Sequence, residues 1–237
     1  IEVGPGEGAL TSELVEVAGY VIAIELDDRL IPILRTKFAL HDNFEVIHGD
    51  ILKADIESIV NDAMRKHDLT RTRVVGNLPY YITTPIIIKL IESKAEFESL
   101  TVMMQKEVGD RLLAEPGTKL AGAITYAVHY RCTVDKICDV SREAFYPVPK
   151  VDSLVLRLDM RGEPAVDVAD EDRFFRCIKA GVSMRRKTLL NSLQAIDDVS
   201  REDIRMALGR VNIDPSRRAE TLTMEEFAEL SNSIWEE

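Results

Sequence analysis

The chain has 237 residues, 46% of them hydrophobic, and a formal net charge of −11. That length suits one medium domain with a small appendage and excludes a large multidomain machine, and no apolar run nears the ~20 residues needed to span a bilayer. The acidic balance argues against nucleic acid as a partner of the average surface, so such a partner requires a local basic face.

The sequence opens on Ile1-Glu2-Val3-Gly4, which reads as the end of a strand entering a glycine turn. A parallel strand needs a beginning and a covering helix, so residues upstream of Ile1 are expected. Val21 to Glu25 is a short β-branched run of the kind buried in a parallel sheet, and Asp27 to Leu40 carries Leu30, Ile33, Leu34 and Phe38 at helical spacing. Phe44 to His48 predicts a strand, Ile51 to Arg65 a helix, Arg73 to Gly76 a strand, Pro85 to Ser93 a helix and Leu100 to Gln105 a strand. This alternation implies a doubly wound α/β sheet. After Ala121 to Tyr130 it stops: Cys132 to Val140 and Leu154 to Leu158 read as strands joined by a Pro-rich loop, which predicts an antiparallel hairpin edge. Arg161-Gly162-Glu163-Pro164 then punctuates the chain, and short capped helices follow, with Thr223-x-x-Glu226 as a capping box. The expected organisation is a catalytic α/β domain over 1–160 and a small helical domain over 161–237.

Three cysteines, Cys132, Cys138 and Cys177, and four scattered histidines form no Cys-x-x-Cys pair and no zinc-ligand spacing, so no metal is expected and the thiols read as reduced and cytoplasmic. Chemistry concentrates elsewhere. Glu2-Val3-Gly4-Pro5-Gly6-Glu7-Gly8 is a glycine-rich turn between a strand end and a helix start, where Gly4 and Gly6 let the backbone pass close under a ligand. Dinucleotide enzymes use similar spacing. Glu7, however, would repel a pyrophosphate and suits a sulfonium or amino cation, and Asp50 closes the third strand where an adenine amino group could bind. Both point to S-adenosylmethionine. Glu25, ending the second strand, is placed to accept hydrogen bonds from two ribose hydroxyls, with helix capping or a solvated turn as the plainer reading of Glu25 and Asp50.

Asn77-Leu78-Pro79-Tyr80 follows the fourth strand. An adenine amino group is a poor nucleophile because its lone pair is delocalised into the ring. Two carbonyl acceptors, the Asn77 side chain and the Leu78 main chain, could bind both amino hydrogens and aim the lone pair at a methyl carbon. Pro79 stiffens the turn and Tyr80 offers a stacking ring.

With these residues in view, the chain resembles the bacterial small-subunit (16S) ribosomal RNA adenine N6,N6-dimethyltransferases, the kasugamycin-resistance family, and more distantly the Erm-type large-subunit enzymes. The resemblance runs through Glu2 to Gly8, Ile24-Glu25-Leu26-Asp27, Gly49-Asp50-Ile51-Leu52, Asn77 to Tyr80, Gln105-Lys106-Glu107-Val108 and Ala144-Phe145-Tyr146-Pro147-Val148-Pro149-Lys150-Val151-Asp152-Ser153, and Arg185-Arg186-Lys187-Thr188-Leu189 favours the small-subunit branch. It implies a Rossmann-like class I methyltransferase fold. It also implies that Gly4, Gly6, Glu25, Leu26, Asp50, Ile51 and Asn77 hold S-adenosylmethionine, and that Asn77, Leu78, Tyr80 and Phe145 handle the base. Two adjacent adenines near the 3′ end of 16S rRNA, in the immature small subunit, would each be dimethylated by a monomer. An upstream Asn-Phe-Leu segment usual in such enzymes has no counterpart here, and no function is carried over to it.

The local basic face is sought at Lys150 and Arg185, Arg186 and Lys187, with Arg71, Arg73 and Arg217-Arg218 as further candidates; a solvated helix face is the usual meaning of such runs. Rival readings are an Erm-type 23S rRNA methyltransferase, a nucleotide-dependent oxidoreductase that leaves Asn77 to Tyr80 unexplained, and a non-catalytic factor of subunit assembly.

Overall fold

The computed structural model describes residues 1–184 and 186–236. Contacts divide the chain into two units, Ile1–Gly109 with Val134–Met160, and Asp110–Thr133 with the chain from Arg161 onward. The chain therefore crosses between units three times. One crossing is at Met160/Arg161, the single boundary expected from the sequence; the other two put residues 110–133 with the helices.

The first unit is a seven-stranded sheet in the order β3-β2-β1-β4-β5-β7-β6. Its strands are β1 (Glu2–Val3), β2 (Val21–Glu25), β3 (Phe44–His48), β4 (Arg73–Asn77), β5 (Ser99–Gln105), β6 (Cys132–Val140) and β7 (Ser153–Met160). β1 to β5 pair in parallel, and β7 runs antiparallel to β5 with Ser153 opposite Gln105. Helices α1 (Ala9–Val17), α2 (Leu30–Lys37), α3 (Ile56–His67) and α4 (Thr83–Ile91) make the crossovers. All five residues of β2 are buried, as expected of an inner parallel strand covered on both faces. The chain winds outward from β1 through β2 to β3, then returns to β4 on the other side. The order thus reverses between β1 and β4, and in such sheets the crevice outside the carboxyl ends at that point takes the ligand.

Gly76 lets the two central strands meet closely: a Cβ there would lie 2.8 Å from the Val3 carbonyl oxygen. Gly109 does the same where α5 (Lys106–Leu113) packs on β7, since its Cβ would come within 2.2 Å of Leu154.

The second unit holds α6 (Ala123–Arg131), α7 (Glu171–Val182), α8 (Leu189–Leu193), α9 (Arg201–Arg210) and α10 (Met224–Ile234). They enclose a core that includes Tyr126, Phe174, Leu193, Leu208 and Phe227. The buried Tyr126 hydroxyl donates to the Leu222 carbonyl at 2.7 Å, and desolvation pushes it up to about 12, so it stays a neutral donor. The Thr223 and Glu226 capping box forms, with Glu226 N–H to Thr223 Oγ1 at 3.2 Å and Thr223 N–H to Glu226 Oε2 at 2.8 Å.

Several elements differ from the sequence reading. The helix expected from Ile51 begins at Ile56, because the Asp50 carbonyl accepts from Lys53 and Ala54 N–H and its side chain accepts from Leu52 N–H, closing a turn. Asp55 then restarts the chain as an N-cap, accepting from Ser58 N–H at 3.1 Å. The helix expected from Asp27 begins at Leu30, the Asp27 side chain being occupied by the Arg29 N–H and guanidinium. Helices α5 and α6 have no counterpart in that reading. α5 follows β5 with no turn residue between them, and α6 buries Thr125, Tyr126, Ala127, Val128 and Tyr130, so it carries no one-sided apolar stripe.

Candidate active site

Glycine conformation sets the first wall of the site. Gly4, Gly6 and Gly8 all have left-handed φ, at 66°, 58° and 78°, which side-chain-bearing residues rarely adopt. At Gly8 a Cβ would meet the Phe38 ring at 2.7 Å, so that glycine serves packing between α1 and α2. At Gly4 and Gly6 a Cβ would meet nothing within 4 Å: the loop surface there is open, a shallow cradle with bare backbone.

Three side chains fix this loop. The Thr11 hydroxyl donates to Glu2 Oε2 at 2.6 Å, joining the strand before the loop to the helix after it, and both residues are buried. Burial raises the Glu2 carboxyl above its ordinary range, while the Thr11 hydrogen bond opposes the shift. Glu25 supplies the second contact: Oε2 accepts from Gly6 N–H at 3.1 Å and Oε1 from Asp27 N–H at 2.8 Å. The Lys37 ammonium adds bonds to the Glu7 and Gly8 carbonyls at 2.9 and 3.0 Å.

Leu26, 58% exposed, follows Glu25, and its carbonyl lies 3.2 Å from the His48 ring. Across the β2/β3 edge, Asp50 is half-buried with one oxygen on Leu52 N–H, and the next residue, Ile51, is buried. Gly4, Gly6, Glu25, Leu26, Asp50 and Ile51 thus stand together at the carboxyl ends of three neighbouring strands.

The fourth strand ends there too. Asn77 is exposed, Leu78 is buried with its N–H on the Met103 carbonyl at 3.1 Å, and Thr83 and Ile82 tie back to the Pro79 carbonyl. Among the described residues, the Asn77 side chain and the Leu78 carbonyl have no hydrogen-bond partner. Tyr80 is held by its hydroxyl, 2.6 Å from Oγ of the buried Ser153. That bond ties the turn to the end of the Pro-rich loop, whose base is also fastened by Lys106 N–H to the Asp152 carbonyl at 2.9 Å and Arg142 N–H to Asp152 Oδ1 at 3.1 Å. Phe145, half-buried, and Lys150, exposed, lie in this loop.

Glu2, Thr11 and Ser153 were not singled out by sequence reasoning. Glu2 and Ser153 stood inside motifs, but a pairing such as Tyr80 with Ser153, 73 positions apart, leaves no local signal.

The basic candidates divide. Arg71 and Arg73 pair with Glu98, and Arg217 makes a two-pronged bond to Glu226, so these arginines are held by carboxylates. Lys150, Arg186 and Lys187 are exposed. Arg185 lies outside the described residues. A cavity of about 550 Å³ lined by Leu14, Val17, Tyr20, Val60 and Met64 opens at the amino ends of β2, β4 and β5, away from the groups above. It has no part in their chemistry. Among the described residues no group of carboxylates, histidines or cysteines could hold a metal ion, and no helix is long and apolar enough to cross a membrane.

The family described as ribosomal RNA adenine dimethylase matches residues 1–236. A protein of Clostridium acetobutylicum named ribosomal RNA small subunit methyltransferase A is 48% identical over 235 residues, covering 99% of this chain and 83% of its own length. A protein of the same name from Geobacillus thermodenitrificans is 47% identical over 237 residues, 99% of this chain and 80% of its own. Among solved structures, a dimethyladenosine transferase of Plasmodium falciparum superposes with TM-score 0.75 at 26% identity, over 97% of this chain and 86% of the other. The 23S rRNA methyltransferase ErmE superposes with TM-score 0.69 at 27% identity, over 99% and 90%. With the carboxyl-edge constellation and a match along nearly its whole length, the chain belongs to the ribosomal RNA adenine dimethylase family.

Proposed function

We propose that this chain dimethylates the N6 amino groups of two adjacent adenines near the 3′ end of 16S rRNA, acting as a cytoplasmic monomer on the immature small subunit. Its class, an S-adenosylmethionine-dependent RNA adenine dimethyltransferase, follows from the family. The single observation that carries the mechanism is the exposed Asn77 side chain, unpartnered among the described residues, beside the Leu78 carbonyl, at the strand edge that also bears the open Gly4 and Gly6 cradle.

S-adenosylmethionine supplies, when bound, a methyl group on a sulfonium, an electrophile that needs no metal. The residues fit it: positive-φ glycines present bare backbone, and each Glu25 oxygen has one acceptor position beyond its backbone bond, enough for two ribose hydroxyls. Asp50 Oδ2, whose one partner is the exposed Lys53 ammonium at 3.8 Å, can accept from an adenine amino group, Leu26 and Ile51 offer apolar walls, and Asn77 completes the pocket.

For the target base, the Asn77 amide oxygen and the Leu78 carbonyl would each accept one N6 hydrogen in the first transfer, and one of them would hold the single hydrogen left for the second, which would direct the nitrogen lone pair toward the methyl carbon. Tyr80, braced by Ser153, and Phe145 provide stacking surfaces for an adenine swung out of its helix. The proton that the methylated nitrogen sheds goes to water. Lys150 in the first unit, and Arg185, Arg186 and Lys187 in the chain beyond Arg161, are the residues for phosphate contacts.

The relatives at 47–48% identity bear a small-subunit name, which favours that substrate over the large-subunit RNA of ErmE. Tritiated methyl transfer to immature small subunits, with mapping of the modified nucleotide, tests the reading. Label on large-subunit RNA alone, or on a nucleotide other than adenine, would overturn it.

A further inference from the structure

We propose that Tyr146 is a substrate-positioning residue that stacks on the nucleotide next to the target adenine, while Arg142 neutralises the adjoining phosphate. This rests on the RNA substrate proposed above and extends it to a residue beyond the pocket.

Tyr146 is 100% exposed, on a chain whose other large aromatic rings mostly pack against something. Among the described residues its ring has no aromatic or cationic partner. A fully solvated phenol ring contributes nothing to folding, and its apolar faces stay in contact with water. Yet its backbone is constrained. Pro147 and Pro149 remove φ freedom on its carboxyl side, and Phe145 N–H is bound to the Arg142 carbonyl at 3.2 Å on the other. The carboxyl end of the loop is tied to the strand edge of the active site, through Asp152 to Lys106 and through Ser153 to Tyr80, and the amino end is tied to that anchor by Arg142 N–H on Asp152 Oδ1. The ring is therefore presented, outside the pocket, one residue from Phe145.

Charge supports nucleic acid as the occupant. In a chain of net charge −11, most arginines of this unit are matched with carboxylates, as Arg29, Arg65, Arg71, Arg73 and Arg157 are. The Arg142 guanidinium instead bonds the Lys150 carbonyl at 3.4 Å, and among the described residues neither that guanidinium nor the Lys150 ammonium pairs with a carboxylate, the Asp152 carboxylate being taken by the Arg142 main-chain N–H. An open aromatic ring with an unmatched cation on each side of it in sequence is a combination by which proteins hold single-stranded nucleic acid, base by stacking and phosphate by charge.

The test compares the parent chain with Tyr146→Ala, Tyr146→Phe and Arg142→Gln, on small subunits from cells lacking the dimethylation. Tyr146→Ala should raise the subunit KM by about tenfold, the lower end of what a stacked base contributes, with kcat little changed. S-adenosylmethionine affinity and Tm should be unaltered. Tyr146→Phe should restore the parent KM, since the ring acts and not the hydroxyl, and Arg142→Gln should flatten the salt dependence of KM. An unchanged KM in Tyr146→Ala, or a Phe variant as impaired as the Ala variant, overturns this assignment while leaving the parent activity standing. A parent that methylates no adenine at all overturns the substrate reading, and this assignment with it.

Discussion

Replacing Glu25 with Ala separates the two tasks the structure gives that carboxylate. It accepts from Gly6 N–H at 3.1 Å and Asp27 N–H at 2.8 Å, and Glu25 is 7% exposed, so truncation strands two backbone donors at the floor of the cofactor loop. Hydrogen bonds to a charged group contribute about 1.5–3 kcal/mol each; water can enter the vacated space at this edge, so a net loss of about 2 kcal/mol is expected. For a chain of this size that lowers Tm by about 4–8 °C. Losing the ribose acceptors should weaken S-adenosylmethionine by a further ~1–3 kcal/mol, roughly ten- to a hundredfold. Gln at the same position retains one acceptor oxygen but turns an NH₂ donor toward one of the two N–H groups, so it should lose nearly as much stability as Ala. Calorimetric titration with S-adenosylmethionine and thermal unfolding of both variants give the two quantities. A lower Tm with unchanged affinity would refute the ribose role and leave Glu25 as a loop anchor alone.

Asn77→Ala should depress methyl transfer more than Phe145→Ala, for which single-turnover kinetics should read a ten- to hundredfold loss from ~1–3 kcal/mol of stacking; parent rates in the Phe145 variant would make the ring structural. Glu2→Gln should change how stability depends on pH. Because the folded-state pKa of Glu2 is raised above 4.5, its favourable contribution is fully present below that value and is lost as pH rises through the folded pKa. Gln can still accept from Thr11 without carrying a charge, so urea unfolding should find the variant gaining on the parent from acid toward neutral pH; a constant difference across that window would contradict the buried-carboxyl account. Arg186→Ala with Lys187→Ala should weaken subunit binding and reduce the slope of log affinity against log salt by roughly 1–2, with cofactor affinity untouched. An unaltered slope returns those residues to a solvated turn.

The local signals in this chain were strong wherever the chemistry is local. Period and composition located β2, β3 and β4, because buried parallel strands are short β-branched runs with unmistakable ends, and the glycines at 4, 6 and 8 announced a loop that only positive φ could close. The Asn77 to Tyr80 turn could be read for its purpose, since two acceptors at adjacent positions are a property of the chain itself. Boundaries failed where a side chain intervened: Asp50 and Asp55 divide an apolar periodicity that looks continuous, and α6 hides because burial on all sides erases its stripe.

Other features belong to the tertiary structure. That residues 110–133 join the helical unit is a matter of which surfaces pack, and nothing in the segment's own composition declares it. Distances along the chain also conceal the braces of the site, the Glu2 carboxyl on Thr11 and the Tyr80 hydroxyl on Ser153, for a hydrogen bond depends on where two strands end in space. The same holds for charge: the sequence offers arginines by number, and only folding decides that Arg217 is held by Glu226 while the Arg142 guanidinium pairs with no carboxylate among the described residues, because ion pairing is fixed by a few ångströms of separation.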